Sequence, residues 1–149
     1  MPTHGAQLPT PANLVERFYG EVWNRANEIA ARQLLSPGFR FRGSLGSECQ
    51  GPDEFIAYMR AVHAALGDYT CRIDDLIATQ HRAAARMTFQ GIHRGRFFDT
   101  EPTGREIRWA GAAFFRFEGT QIAELWVLGD IDAVKRQSNA SASTRFHSQ

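Results

Sequence analysis

Three side chains in the 149-residue sequence stand where acid–base chemistry is possible: His93, Glu124 and Asp130. In the run Glu124-Leu125-Trp126-Val127-Leu128-Gly129-Asp130, a period of two places Glu124 and Asp130 on the face that carries Trp126 and Leu128. A carboxylate on an apolar face is poorly hydrated, which raises its pKa and makes it a stronger base than a surface carboxylate. Asp130 has a second reading, because Gly129-Asp130-Ile131-Asp132-Ala133 ahead of a short helical run is the pattern of an N-cap aspartate. Glu124 reads either as a second acid/base or as the partner of a cross-strand arginine. His93 ends the row Met87-Phe89-Gly91, where it can donate a hydrogen bond or shuttle a proton at a pocket mouth, or sit half exposed at a strand end.

Other chemistries find little support. His4, His63, His81 and His147 form no metal-ligand spacing with one another or with Cys49 and Cys71, so no metal is expected. Gly43-Ser44-Leu45-Gly46 lacks the lysine and the strand-to-helix context of a phosphate loop, and there is no nucleophile elbow or dinucleotide fingerprint, which predicts no nucleotide cofactor. Two cysteines make no disulfide framework, although a single bridge between them stays open. The first residues lack the basic start and apolar run of a signal peptide, and no stretch reaches 18 apolar residues, so the expected location is cytoplasmic, away from membranes. A net charge of +1 argues against a nucleic-acid binder; the arginines at 82, 86, 94, 96, 105 and 108 are diluted by Asp99, Glu101 and Glu106.

The elements that must position these groups follow from periodicity. Thr10-Pro11 starts a helix along which Leu14, Val15, Phe18, Val22 and Trp23 recur. A second short helix follows in NEIAARQLL and ends at Ser36-Pro37-Gly38, and FRFRG at 39–43 alternates as a strand that turns Arg40 and Arg42 outward to solvent. After a glycine-rich loop, a third helix opens at Gly51-Pro52 with Phe55, Tyr58, Met59, Val62 and Leu66 on one stripe, closed by Gly67-Asp68. Strands are predicted at 69–79, 82–93, 106–117 and 121–128, then a last helix in IDAVKRQ. Helices first and strands afterwards define an α+β domain over 10–137, a curved antiparallel sheet folded against helices, with polar tails at 1–9 and 138–149. Hydrophobic residues make up 43% of the chain, enough for one core and one pocket. Alternation puts Ala83, Ala85, Met87, Phe89, Gly91 and His93 on one inner row, Ile107, Trp109, Gly111, Ala113, Phe115 and Phe117 on the next, and Ile122, Glu124, Trp126 and Leu128 on the last. Small residues opposite large ones mean either interdigitated packing or a ligand-sized hollow.

In order and spacing, Asn13-Leu14-Val15, Phe18-Tyr19, Val22-Trp23-Asn24, His93-x-Gly95-x-Phe97, Pro102-Thr103-Gly104-Arg105, Trp109, Phe115-Arg116-Phe117 and Glu124-x-Trp126-x-x-x-Asp130 resemble the SnoaL-like polyketide cyclases of the nuclear transport factor 2-like superfamily. The resemblance covers about 12–137. It implies a cone-shaped α+β fold whose helices close a bent sheet, antiparallel or mixed, around a hydrophobic pocket, usually a homodimer, and chemistry without a cofactor. It also implies that Asp130 is the acid/base of an intramolecular aldol ring closure, acting on a hydrophobic polyketide-like ester. On this reading His93 stabilises the oxyanion, and Tyr19, Trp23, Met87, Trp109, Phe115, Glu124 and Trp126 meet the substrate. The chain departs from the pattern at Arg42, where relatives carry His or Asn, and at Leu128, where cyclases place a polar partner.

Two other functions compete. One is a different enzyme of the superfamily, either a ketosteroid-isomerase-like proton shuttle or a hydrolase, the latter needing a second inward carboxylate for which Glu124 is the candidate. The other is a non-catalytic binder of a hydrophobic small molecule. Asp130 pointing into an enclosed cavity and unpaired with helix amides favours an enzyme, whereas Asp130 bonded only to the amides of residues 132 or 133 favours a binder.

Overall fold

The computed structural model describes residues 8–138, so all but the ends of the tails expected at 1–9 and 138–149 lies outside the described residues. Helix α1 (Pro11–Arg17) begins where Thr10 and Asn13 exchange side-chain and backbone hydrogen bonds, with Pro11 in the first turn. It continues as a π-helical stretch, Phe18–Trp23, whose wider turn buries Phe18, Tyr19, Val22 and Trp23 together. Helix α2 (Glu28–Leu34) is capped by Asn27, which accepts from the Ala30 amide at 3.0 Å. Its Ile29 points to solvent.

Strand β1 (Leu35–Arg42) starts earlier than expected, and Ser36-Pro37-Gly38 lies inside it instead of forming a stop. Its register with β6 is irregular between Leu35 and Arg40, which is where a proline without an N–H is tolerated in a sheet. The glycine-rich loop contains a short edge strand, β2 (Glu48–Gln50), which leads into α3 (Gly51–Ala65). Leu66 and Gly67-Asp68 belong to β3 (Leu66–Ala78), not to the helix end, with a bulge and a left-handed Asp68 at the start of the strand. Strands β4 (Arg82–His93), β5 (Glu106–Glu118) and β6 (Gln121–Gly129) and helix α4 (Ile131–Ser138) complete the order.

The six strands form one curved, unclosed sheet in the order β2-β1-β6-β5-β4-β3, with β1 and β6 parallel and every other pair antiparallel. The fold is therefore α+β with a mixed sheet, as expected. Helix α1, its π-helical extension and α3 cover the inner face, and the core between them is aromatic: Phe18, Phe39, Phe55 and Phe115 are fully buried. The inner rows of β4 and β5 are those predicted, and the glycines on them settle the choice between packing and hollow. A Cβ on Gly111 would lie 2.6 Å from Cε2 of Phe89, and one on Gly91 would lie 2.8 Å from the Cβ of Leu66. Large side chains fill the space that the glycines leave.

The last strand departs from simple alternation. Arg116 pairs with Glu124 while Phe117 pairs with Ile122, so Ala123 is an extra residue on β6, a β-bulge that buries Ile122 and Ala123 side by side. Beyond it the parity is reversed. Leu125 and Val127 face the core, and Glu124, Trp126 and Leu128 face outward, with Trp126 43% and Leu128 52% exposed. The expected inner row of β6 is thus corrected everywhere after Ile122.

Candidate active site

The interior between the helices and the inner face holds a void of about 10 Å³, room for a single water. Its walls come from every layer: Tyr19 and Trp23 from the π-helical stretch, Ser44 from the loop after β1, Tyr58 from α3, Tyr69 from β3 and Phe89 from β4. Edge-to-face contacts fix the rings, with Trp23 5.4 Å from Tyr69 and Tyr19 5.9 Å from Phe115 between centroids. Trp109 adjoins this group through Phe89 at 5.5 Å and Tyr69 at 6.1 Å, and its Nε1 donates to Oγ of Ser44 at 3.4 Å. Burial, reinforced by neighbouring Cys71, holds the Tyr19 and Tyr69 hydroxyls far above the ordinary phenol range, so both stay protonated.

His93 is fully buried, not half exposed at its strand end. Phe97 lies 6.0 Å from its ring, and Nδ1 is 3.2 Å from Oγ1 of Thr103, which also accepts the Arg105 amide at 3.2 Å. Its Nε2 has no hydrogen-bond partner, and neither has the buried hydroxyl of Tyr19. Unpaired buried polar atoms cost free energy, about 1–3 kcal/mol each, and native structures hold few of them. Here, among the described residues, two occur on the inner side of one small domain.

Of the other expected substrate contacts, Tyr19 and Trp23 line the void and Trp109 adjoins it. Met87 and Phe115 are packed core residues. Glu124 and Trp126 are corrected: the bulge turns both to the outer face, where Glu124 pairs with Arg116 at 3.3 Å and Trp126 lies under the guanidinium of Arg42 at 5.2 Å. Glu124 therefore supplies no inward carboxylate of the kind a hydrolase needs. Arg42 is outward as expected but only half exposed, and it also donates from Nη1 to the carbonyl oxygen of Val127.

Asp130 shares the parity of Trp126, as the spacing says, but that parity is external. The residue is exposed, its N–H donates to the Ala110 carbonyl at 3.0 Å, and its Oδ1 accepts from the Ala133 amide at 3.0 Å. It is the N-cap of α4. A larger hollow of about 540 Å³ lies outside the core between β1, β2 and β6, where Arg40, Arg42, Glu48, Glu54 and Glu124 give it an open, charged lining. Ser44 stood in the sequence only as part of a glycine loop, and Thr103 only as one member of the Pro102-Thr103-Gly104-Arg105 motif, neither marked as a site residue. Tyr58 was visible only as one member of a helical stripe. Among the described residues no group of three or more His, Cys, Asp or Glu side chains gathers as a metal site, and no helix is long and apolar enough to cross a membrane.

A curved mixed sheet with helices closing its concave face, and a buried aromatic interior holding isolated polar atoms, defines an α+β fold of the nuclear transport factor 2-like kind. The family model for SnoaL-like polyketide cyclase matches residues 13–138, and the chain belongs to that family. Its structure is similar to that of TsrD from Streptomyces laurentii, at 25% identity and a TM-score of 0.76 over 87% of this chain and 94% of that one. A SnoaL-like polyketide cyclase from Agrobacterium tumefaciens superposes with a TM-score of 0.74 at 20% identity, over 87% of this chain and 98% of that one. A hypothetical protein with a ketosteroid isomerase-like fold from Catenulispora acidiphila, solved with trimethylamine, does so with a TM-score of 0.74 at 15% identity, over 88% and 95% of the two chains. No curated protein matches the chain.

Proposed function

We propose that the chain is a cyclase-type enzyme that works without a cofactor on a hydrophobic, polyketide-like ester taken into the interior. The observation that carries this reading is the pair of partnerless polar atoms, Tyr19 Oη and His93 Nε2, on the apolar inner side of a chain that belongs to a cyclase family. The void in its present shape admits about one water, so substrate entry requires the surrounding side chains to move apart.

In the proposed step the Asp130 carboxylate takes a proton alpha to one carbonyl, and the electron pair passes into an enolate. The enolate carbon attacks a second carbonyl of the same molecule, forming the ring C–C bond, and the resulting alkoxide recovers the proton from Asp130. The product is an isomer of the substrate. We assign the His93 proton to Nε2: the Thr103 hydroxyl accepts from the Arg105 amide and turns its own proton to Nδ1, leaving Nε2–H to meet an oxyanion. Asp130 must leave its cap to act. Opening the cap bond costs about 1 kcal/mol, and because Asp130 stands on the outer side with its N–H on the Ala110 carbonyl, the end of β6 must also shift to bring the carboxylate inward.

The bond from the Ala133 amide to Asp130 supports a second reading, a non-catalytic binder of the same class of molecule. Both readings are tested by incubating the protein with linear aryl poly-β-keto esters and following ring closure by absorbance. Cyclisation by the wild type and its loss in Asp130→Asn is the expected result. Equal turnover in that variant removes Asp130 as the acid/base, and binding without turnover by the wild type selects the binder.

Two copies are proposed to pair through the outer face of the sheet, where Phe114, Trp126 and Leu128 stand 50%, 43% and 52% exposed on adjacent strands. Free thiols at Cys49 and Cys71 support a cytoplasmic setting.

A further inference from the structure

The π-helical stretch puts one polar atom where packing alone would not place it. Tyr19 is 2% exposed, and its ring is held edge-on by Phe18 at 5.1 Å and Phe115 at 5.9 Å, so the hydroxyl cannot swing out to solvent. That hydroxyl has no partner, and Tyr19 lines the void together with Ser44, Tyr58 and Tyr69. A phenylalanine would fill the same space without the desolvation cost. A short π-helical segment is itself uncommon and recurs at functional positions, and here it turns both Tyr19 and Trp23 inward.

We propose that Tyr19 is the specificity-determining hydrogen-bond donor of the interior, selecting apolar ligands that present a ketone or ester carbonyl oxygen to its hydroxyl. The inference rests on the reading that the interior receives a hydrophobic ligand. Burial keeps the phenol protonated, so it acts as a donor to an acceptor oxygen and not as an anion. A donor preorganised in an apolar site binds a carbonyl oxygen and binds the enolate oxygen formed from it more strongly. It also discriminates against an isostere without the oxygen, which would leave the hydroxyl buried and unpaired.

The test pairs two probes with two proteins. Dissociation constants of 2-acetylnaphthalene and of its oxygen-free isostere 2-isopropenylnaphthalene are measured by calorimetry on the wild-type chain and on Tyr19→Phe. The expected result is that the ratio of the two constants shifts about five- to tenfold against the ketone in the variant, while the isostere binds the variant as well as the wild type or better. A ratio unchanged between the two proteins overturns the role of Tyr19 and leaves the interior-ligand reading standing. Failure of both probes to bind the wild type overturns both. Thermal unfolding of the ligand-free proteins gives an independent readout, with Tyr19→Phe expected to melt no lower than the wild type. A marked fall would mean that the hydroxyl serves the resting fold, and would likewise overturn the proposal.

Discussion

Replacing Asp130 by alanine and by asparagine separates its structural role from its proposed chemistry. Oδ1 takes the Ala133 amide at 3.0 Å, satisfying one of the free N–H groups at the start of α4. The helix it caps is docked on β5: Val134 is fully buried, and Gln137 exchanges two hydrogen bonds with the Arg108 backbone, at 2.8 and 2.6 Å. Loss of the cap in Asp130→Ala should therefore reach the folded body and cost about 1 kcal/mol. Loss of the charge beside the helix dipole adds a few tenths of a kcal/mol. With an unfolding entropy of about 2.1 cal/mol/K per residue, a domain of this size loses roughly 4 °C in Tm per kcal/mol, so the alanine variant should melt roughly 4–5 °C below the wild type. Asparagine caps about as well as aspartate, so Asp130→Asn should lose less than about 2 °C. Differential scanning calorimetry at neutral pH checks both. An asparagine variant as unstable as the alanine variant, or an alanine variant within 1 °C of the wild type, would refute the assignment of Asp130 as the cap. Only if the asparagine variant stays folded does its loss of turnover report on chemistry.

Two further outcomes follow from the packing of the sheet. Gly111→Ala places a Cβ 2.6 Å from Phe89 Cε2 and 2.8 Å from the Leu128 carbonyl oxygen, so overpacking should cost about 1–3 kcal/mol, read as a lower Tm; a Tm within 1 °C of the wild type would show that the Phe89 ring yields freely. Trp126→Glu puts a charge in the middle of the exposed Phe114–Leu128 patch and removes the ring under Arg42, and sedimentation should show a dimer reduced to a monomer. A monomeric wild type would refute pairing through that face.

Most of the architecture was legible because each element carried its own signal: the Thr10-Pro11 start, the helical stripe from Phe55 to Val62, and the two inner rows of β4 and β5. The site was less legible, and one residue accounts for much of the difference. Ile-Ala-Glu-Leu-Trp-Val-Leu offers two apolar phases, and alternation favours the one with the bulkier residues, whereas Ala123 takes an extra place and hands the core to Leu125 and Val127. The one contrary sign was Glu124, a charge that the chosen phase would have buried and that the structure leaves outside beside Arg116. The π-helical stretch escaped for a related reason. Phe18, Val22 and Trp23 fit an α-helical stripe well enough that nothing in their spacing marks the wider turn between them.

The bulge also bears on where a base can stand. Among the described residues no Asp or Glu is buried; the buried polar side chains are Ser36, Ser44, His93 and Ser138, joined by the hydroxyls of Tyr19 and Tyr69. The interior described thus holds hydroxyls and an imidazole but no carboxylate, which is what the cost of burying an unpaired carboxylate, several kcal/mol, would select. A proton-abstracting carboxylate must therefore come from the rim. Asp130 follows the strand whose Leu125 and Val127 wall the void, exposed on its outer side, with its carboxylate on the Ala133 amide and its backbone bonded to Ala110 and Val134. A carboxylate outside, held by a cap bond worth about 1 kcal/mol, avoids the several kcal/mol of burying it, and burial keeps the Tyr19 phenol protonated as a donor in the core. On this division of labour the donors select and orient the carbonyl. Under the proposed reaction the base would be supplied only by molecules in which the cap has opened, so that strengthening the cap should slow turnover without weakening the binding of the substrate.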